Sequence, residues 1–320
     1  MKRSMKVLKR LKALQSSFSY EKTLDEVNIL STFIQVILRS LETGSIYALA
    51  ALSIIIIFRT SNIVNFSQGA VAMFNTFVVT YLFNTMGINI WLAALGGIVS
   101  AILIGILIDL VVIRHTKKVH PEAKQIITLG MIMIVLGIAP LIFGVDPLRL
   151  PRLIEQGNLS ILGADISYNG IFNILFGLLV MGGLFVILQK TKIGLAIRST
   201  ASNEHTAKLM GVPTKTVTMG AWAVAGVLGV ISGVMTAPMT SVTLHIMDDV
   251  QLNALIAVVL GGFQTFYGPV VGAYIIGVGR NLLLYYGSSV WGGQILYILI
   301  LVFLVFRPHG LFGKKIIKKV

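Results

Sequence analysis

Catalysis needs nucleophiles, acids or metal ligands brought close together, and in this 320-residue chain such groups are few and scattered. The five histidines, at 115, 120, 205, 245 and 309, are scattered, and His115, His120 and His309 stand in basic stretches where solvated rings are expected. Cysteine is absent, which excludes thiolate metal sites, disulfides and cysteine nucleophiles. No GxxxxGK[ST], HExxH or GxSxG pattern occurs, so the chain is not expected to cradle nucleotide phosphates or to hydrolyse anything itself. The carboxylates inside apolar stretches are Glu42 and Asp109. An ion-coupled carrier buries such a group along its path. Glu42 follows Arg39 by three residues and can pair with it on one helix face, and Asp109 lies about one turn from Arg114, as an end-of-helix ion pair would. Both sit toward the ends of their segments, so the driving force of any transport is expected to come from elsewhere. An ion-coupled secondary transporter stays open as the alternative, and it requires one of these two groups to titrate in the path.

Uncharged polar residues are more telling. The segment RTSNIVNFSQGA, residues 59–70, places Asn62, Asn65, Ser67 and Gln68 between two apolar stretches, with Gly69 weakening the helix. Unwound backbone at membrane depth is tolerated only where protein or a water-filled cavity covers it. The segment is therefore either a short surface loop or a broken helix lining a translocation path. A second candidate interruption follows Gln251, where Gly261, Gly262, Gly268 and Pro269 separate two short apolar halves. Two interrupted segments, one in each half of a chain, point to a path at the membrane midplane.

The longest polar, basic stretch between apolar spans is residues 190–215, KTKIGLAIRSTASNEHTAKLMGVPTK. It predicts a short helix with Ser202 as N-cap, Glu204 in the first turn, Gly211 as the left-handed C′ residue and Pro213 beyond it. Thr206, Leu209 and Met210 share a face at i, i+3, i+4 spacing. Such a helix either docks a cytoplasmic partner or lies on lipid headgroups.

The elements that position these residues follow from composition. The chain is 56% hydrophobic and 12% charged, against roughly 25% charged in soluble domains, so it is an all-α, polytopic membrane protein. Its net charge of +14 is clustered in loops, which reports orientation rather than nucleic-acid binding. About eight spans are expected, among them 29–58, a second ending near Phe83, 91–113, 126–143, 171–188, 217–237 and 290–306, with the interrupted segment after Gln251 counted as one. Residues 1–28 form a basic amphipathic tail and residues 307–320 a basic cytoplasmic tail. Basic loops 114–124 and 190–215 and the C-terminus belong inside, and the charge-balanced stretch 144–168 outside. These loops place the N-terminus outside, whereas its own basic residues argue for the inside.

Four segments together carry a resemblance: GSIYALAALSIIIIF…SNIVNFSQGAVAMF, TKIGLAIRSTASNEHTAKLMGVPT, LNALIAVVLGGFQTFYGPVVGAYIIG and RPHGLFG. In this order they resemble the membrane permease subunits of branched-chain amino-acid ATP-binding-cassette importers, over nearly all of residues 40–313. The resemblance implies a permease domain over 29–306 in a bacterial cytoplasmic membrane. It also implies a second permease subunit, often a different chain, two cytoplasmic P-loop ATPases that bind the ATP, an extracytoplasmic solute-binding protein, and no cofactor in this chain. Residues 190–215 are then similar to the coupling loop that sits in an ATPase groove, with Glu204, Ala207 and Gly211 matching its acidic–Ala–Gly pattern. Asn65–Gly69 is similar to the family's NFAHG-like segment. Relatives move urea, short amides or other small polar solutes, so the cargo is implied only by class.

Overall fold

A computed structural model describes residues 2–116, 120–154, 157–161 and 163–313; of residues 2–28, 121, 122 and 161 it describes the backbone alone. The predicted apolar stripe of the N-terminal tail therefore lies outside the described side chains, as does the end of the C-terminal tail.

Helix α1 (Lys2–Ser61) is the central element, and its segment Ile29–Ser61 is long and apolar enough to cross a membrane. The run Ile54–Ile57 is at most 1% exposed. A helix apolar on every side must be surrounded by protein or lipid, and this one is enclosed by other helices. Around it stand α2 (Gln68–Asn84), α3 (Ile90–Ile108, continued by a π-turn to Ile113), α4 (Pro121–Phe143) and α5 (Tyr168–Lys190). After two short helices, α6 (Lys192–Ser202) and α7 (Glu204–Leu209), come α8 (Thr214–Thr236), α9 (Asp248–Gly261), α10 (Tyr267–Leu282, with a π-turn to Gly287) and α11 (Gly292–Phe306).

Directions follow from the contacts. Glu42 and Ser45 of α1 meet Asn173 and Gly177 of α5, so these helices run parallel. Thr43 and Phe58 meet Asn281 and Phe263, so α10 runs antiparallel to α1. α3 runs antiparallel to α8, close enough that a Cβ on Gly226 would stand 2.6 Å from the Ala101 carbonyl oxygen. That approach is what the glycines of α8 permit, and α8 is accordingly buried, with Trp222, Ala225 and Val230 at most 2% exposed. Polar side chains inside the bundle mostly satisfy themselves: Thr76 and Thr80 donate to the carbonyls four residues back, at 2.8 Å each. The outer faces of α3, α4, α5 and α11 carry exposed Leu103, Leu141, Leu179 and Leu301, as lipid-facing surfaces must.

Two expectations are corrected. The chain between α9 and α10 is not an interrupted span but a hairpin. Asp249 faces Arg280, Ala257 faces Gly272 and Gly261 faces Gly268, an antiparallel register along the whole length. The segment read as one passage turns back on itself, which brings the C-terminal segment to the same end as residues 190–215; among the described residues five helices are long and apolar enough to cross a membrane. The Ile29 end of α1 lies opposite those loops, as the loops themselves require. Second, the stretch 144–168 contains an antiparallel hairpin, β1 (Asn158–Ile161) and β2 (Ala164–Ser167). Its short alternating strands gave too weak a pattern to stand out in the sequence. A bridge between Leu148 and Val242 ties this outer loop to the one after α8.

Candidate functional site: a loop helix pair and a buried polar segment

The end that collects Arg114, Lys124, Lys190 and Lys215 also carries the paired short helices. Thr191 caps α6, its Oγ1 accepting from Gly194 N at 3.1 Å. The predicted cap of α7 is corrected by one residue. Ser202 is the last residue of α6, and Asn203 caps α7 instead, its Oδ1 accepting from Thr206 N at 2.9 Å. The extended backbone of Asn203 separates two helices where the sequence suggested one, and Asx residues fill this role as well as Ser does. Replacing Asn203 by Ala is expected to lower the melting temperature measurably, for a loss of about 1 kcal/mol, and Ser202→Ala to leave it unchanged. Equal shifts in a thermal melt of the purified chain would contradict the assignment.

At the other end of α7, Gly211 has φ +81°, the left-handed conformation expected of it. Gly211 N donates to Lys208 O and Val212 N to Ala207 O, both at 3.0 Å, closing a Schellman motif. Ala207 is buried against the bundle. Glu204 pairs with Lys208 at 2.6 Å and borders a small cleft with Thr60, Asp109, Arg114 and Lys215. Asp109 bonds Arg114 Nε at 3.0 Å, the end-of-helix pair expected of it. Leu209 and Met210 are 76% and 80% exposed. The two caps thus hold a rigid tip whose largest apolar side chains point away from the bundle.

The polar segment after α1 lies deeper. Asn62 turns the chain with φ +55° and is itself exposed. From there the backbone is non-helical to Ser67, and Gln68 begins α2. Gln68 Nε2 donates to Ala225 O at 2.8 Å. Ala225 lies eleven residues into α8, about 16 Å from its start, so α2 begins half-way through the bundle. Asn65 organises the approach: its Oδ1 accepts from Ser67 Oγ (2.7 Å) and Ser67 N (3.1 Å), and its Nδ2 donates to Gln68 Oε1 at 3.2 Å. Asn65, Ser67 and Gln68 are at most 3% exposed. This is an unwound segment covered by protein, not a surface loop.

Gln251 of α9 meets this segment at Gly69, and Asn253 is a second buried amide of the same helix that sequence reasoning passed over. A Cβ on Gly69 would stand 2.9 Å from Gln251 Cβ, and Gln251 Nε2 is buried without a hydrogen-bond partner. Asn253, fully buried, accepts from Tyr297 at 3.2 Å. Their signal in the sequence is two amides within an apolar run.

Gly261, Gly262, Gly268 and Pro269 lie elsewhere, at the hairpin turn on the basic end. Gly261 and Gly268 pack backbone to backbone, and the C-terminal segment folds onto them. Leu311 N donates to Leu260 O at 2.8 Å and Phe312 N to Gly261 O at 3.2 Å, satisfying carbonyls that α9 leaves open. Gly310, at φ +75°, permits this, since a Cβ there would stand 2.7 Å from Val259 O. Gly310→Val is therefore expected to undock the tail and cost about 2–3 kcal/mol, the sum of two lost hydrogen bonds and a strained backbone, read as a lower unfolding temperature in detergent.

The family model described as the permease component of branched-chain amino acid transport systems matches residues 36–305. The chain is 27% identical over 285 residues to the probable branched-chain amino acid transport permease protein LivH of Methanocaldococcus jannaschii, covering 84% of this chain and 89% of that one. It is 25% identical over 301 residues to the high-affinity branched-chain amino acid transport system permease protein LivH of Escherichia coli K12, and 24% over 305 residues to BraD of Pseudomonas aeruginosa, in each case covering 90% of this chain and 98% of the relative.

Proposed function

Since the chain belongs to the family of permease components of branched-chain amino acid transport systems, we propose that it forms, with a second and different permease chain, the path by which a branched-chain amino acid enters a bacterial cell across the cytoplasmic membrane. Two P-loop ATPases bind and hydrolyse the ATP, an extracytoplasmic binding protein delivers the cargo, and this chain needs no cofactor of its own. The observation that carries the reading is the doubly capped tip of α7, with Leu209 and Met210 held outward at the basic end. A helix resting on its own bundle would turn those side chains inward. A rigid apolar knob suits a groove in a soluble partner that moves when it binds ATP.

The segment from Asn62 to Gly69 supplies the movable part of the path. Its hydrogen bonds run within the segment, to Thr128 of α4 and to Ala225 of α8, so a shift of α8 relative to α2 acts on the bond from Gln68 first. Movement of residues 190–215 reaches α8 directly, because Pro213 and Thr214 join the loop to that helix.

Affinity purification of the tagged chain in mild detergent, with co-purifying subunits identified by mass, tests the proposal. A P-loop ATPase and a second permease in near-equal amounts are expected. Recovery of the chain alone or as a homo-oligomer, with leucine uptake into proteoliposomes driven by a proton or sodium gradient and indifferent to ATP, would replace it with the ion-coupled carrier.

A further inference from the structure

A cavity of about 820 Å³ opens at the end of the bundle opposite residues 190–215, between α1, the β1–β2 hairpin and the end of α10. Its wall is chemically divided. Arg39 and Arg152 contribute guanidinium groups, Glu42 and Asp165 carboxylates, the latter engaged by Ser160 Oγ, and Val36, Ile166 and Leu284 an apolar patch. Glu42 is spaced to pair with Arg39, and its Oε1 accepts from Asn173 Nδ2 at 2.7 Å. Asn173 is fully buried and so fixes where the carboxylate stands. Gly170 makes room for it, since a Cβ there would lie 2.9 Å from Glu42 Oε2. The carboxylate is thus built into place, with one oxygen still available, while both arginines remain exposed beside it. With Asp165 engaged by Ser160, the fixed carboxylate of Glu42 beside two exposed guanidinium groups and an apolar wall is complementary to a molecule carrying the reverse charges and a hydrocarbon side chain.

We infer that this cavity is a binding site for a free zwitterionic α-amino acid, its carboxylate on Arg39 and Arg152, its ammonium on Glu42 and its side chain against Val36 and Leu284. The inference rests on the proposed function for the identity of the cargo. It adds a place within this single chain where the amino acid pauses after leaving its binding protein. The site selects for the charged backbone of the cargo and only loosely for its side chain, because the apolar wall is open on one side. It therefore excludes deaminated and decarboxylated analogues that an apolar path alone would admit.

The absence of cysteine from the chain makes a direct test available. Leu284→Cys in the complete transporter, in proteoliposomes, is labelled with a small thiol reagent and the modification of this chain is read by mass. Millimolar leucine is expected to slow labelling several-fold, whereas isocaproate and isopentylamine, which each lack one charge, leave it unchanged. Adding Glu42→Gln is expected to remove the protection without altering the rate in the absence of ligand, which shows that the fold is intact. Labelling indifferent to leucine while the same vesicles take leucine up would overturn the site and leave the proposed function standing. Indifference together with no ATP-dependent leucine uptake would overturn both. Labelling that responds to the phosphatidylethanolamine content of the vesicles and not to leucine would assign the charged wall to a lipid headgroup and likewise overturn it.

Discussion

A chain carrying Leu209→Asp and Met210→Asp is expected to reach the membrane in normal amount and to lose at least about 30-fold in ATP-driven uptake. Both side chains are more than three-quarters exposed, so their replacement removes no contact within the bundle. The caps at Asn203 and Gly211 are backbone and Asx features that aspartate at 209 and 210 does not disturb. What changes is the tip offered to a partner. Apolar anchors at the centre of an interface are worth about 2 kcal/mol or more each, and 2 kcal/mol is roughly a 30-fold change in affinity. Two buried carboxylates add a desolvation cost that the partner cannot relieve. Uptake into proteoliposomes and recovery of the ATPase on a tagged permease should fall together. Uptake at the unmodified level, with the ATPase still bound, would show that α7 is not the docking element.

How far the residues announced this arrangement differs by element. Gly211 was legible because left-handed backbone at a helix end strongly favours glycine, and the chain offers one there, two residues before Pro213. The cap at the other end was not, because Ser202 and Asn203 are both good caps and only the break between α6 and α7 decides between them. Asn65, Ser67 and Gln68 marked the segment after α1 as either a surface loop or an unwound stretch, and only their burial decides between the two. The α9–α10 hairpin was not legible. A glycine-rich interruption looks the same whether the chain continues or turns back, and the difference lies in long-range contacts such as Asp249 with Arg280. The RPHGLFG motif was visible as a match, but its physical role, donors for the open carbonyls of α9, appears only when residues 51 positions apart are brought together. Glu42 was likewise read through its neighbour Arg39, although its partner, Asn173, lies on another helix.

Gly69→Leu is expected to reduce uptake at least about tenfold while leaving the subunits assembled. Gly69 is the second residue of α2, at the depth where that helix begins beside α8 and α9. Its missing side chain is filled from across the gap by Gln251, whose Cβ and Cγ would stand 2.9 and 3.2 Å from a new Cβ. The first of these belongs to the root of the side chain and cannot rotate away, so α2 must move from α9. Overpacking of this kind costs about 1–3 kcal/mol, too little to unfold a bundle held at many other contacts. The cost falls on the bonds that fix the unwound segment, Gln68 to Ala225 and Asn65 to Gln68, because they end within one residue of the displaced backbone. If that segment exchanges partners during transport, locking or dislodging it slows every cycle, and co-purification of the partner subunits is unaffected. Gln251→Gly, which removes the opposing Cβ, is expected to restore a substantial part of the uptake to Gly69→Leu. Full activity of Gly69→Leu alone would place the moving part of the path elsewhere. Loss without rescue by Gln251→Gly would show that the damage is not the α2–α9 contact.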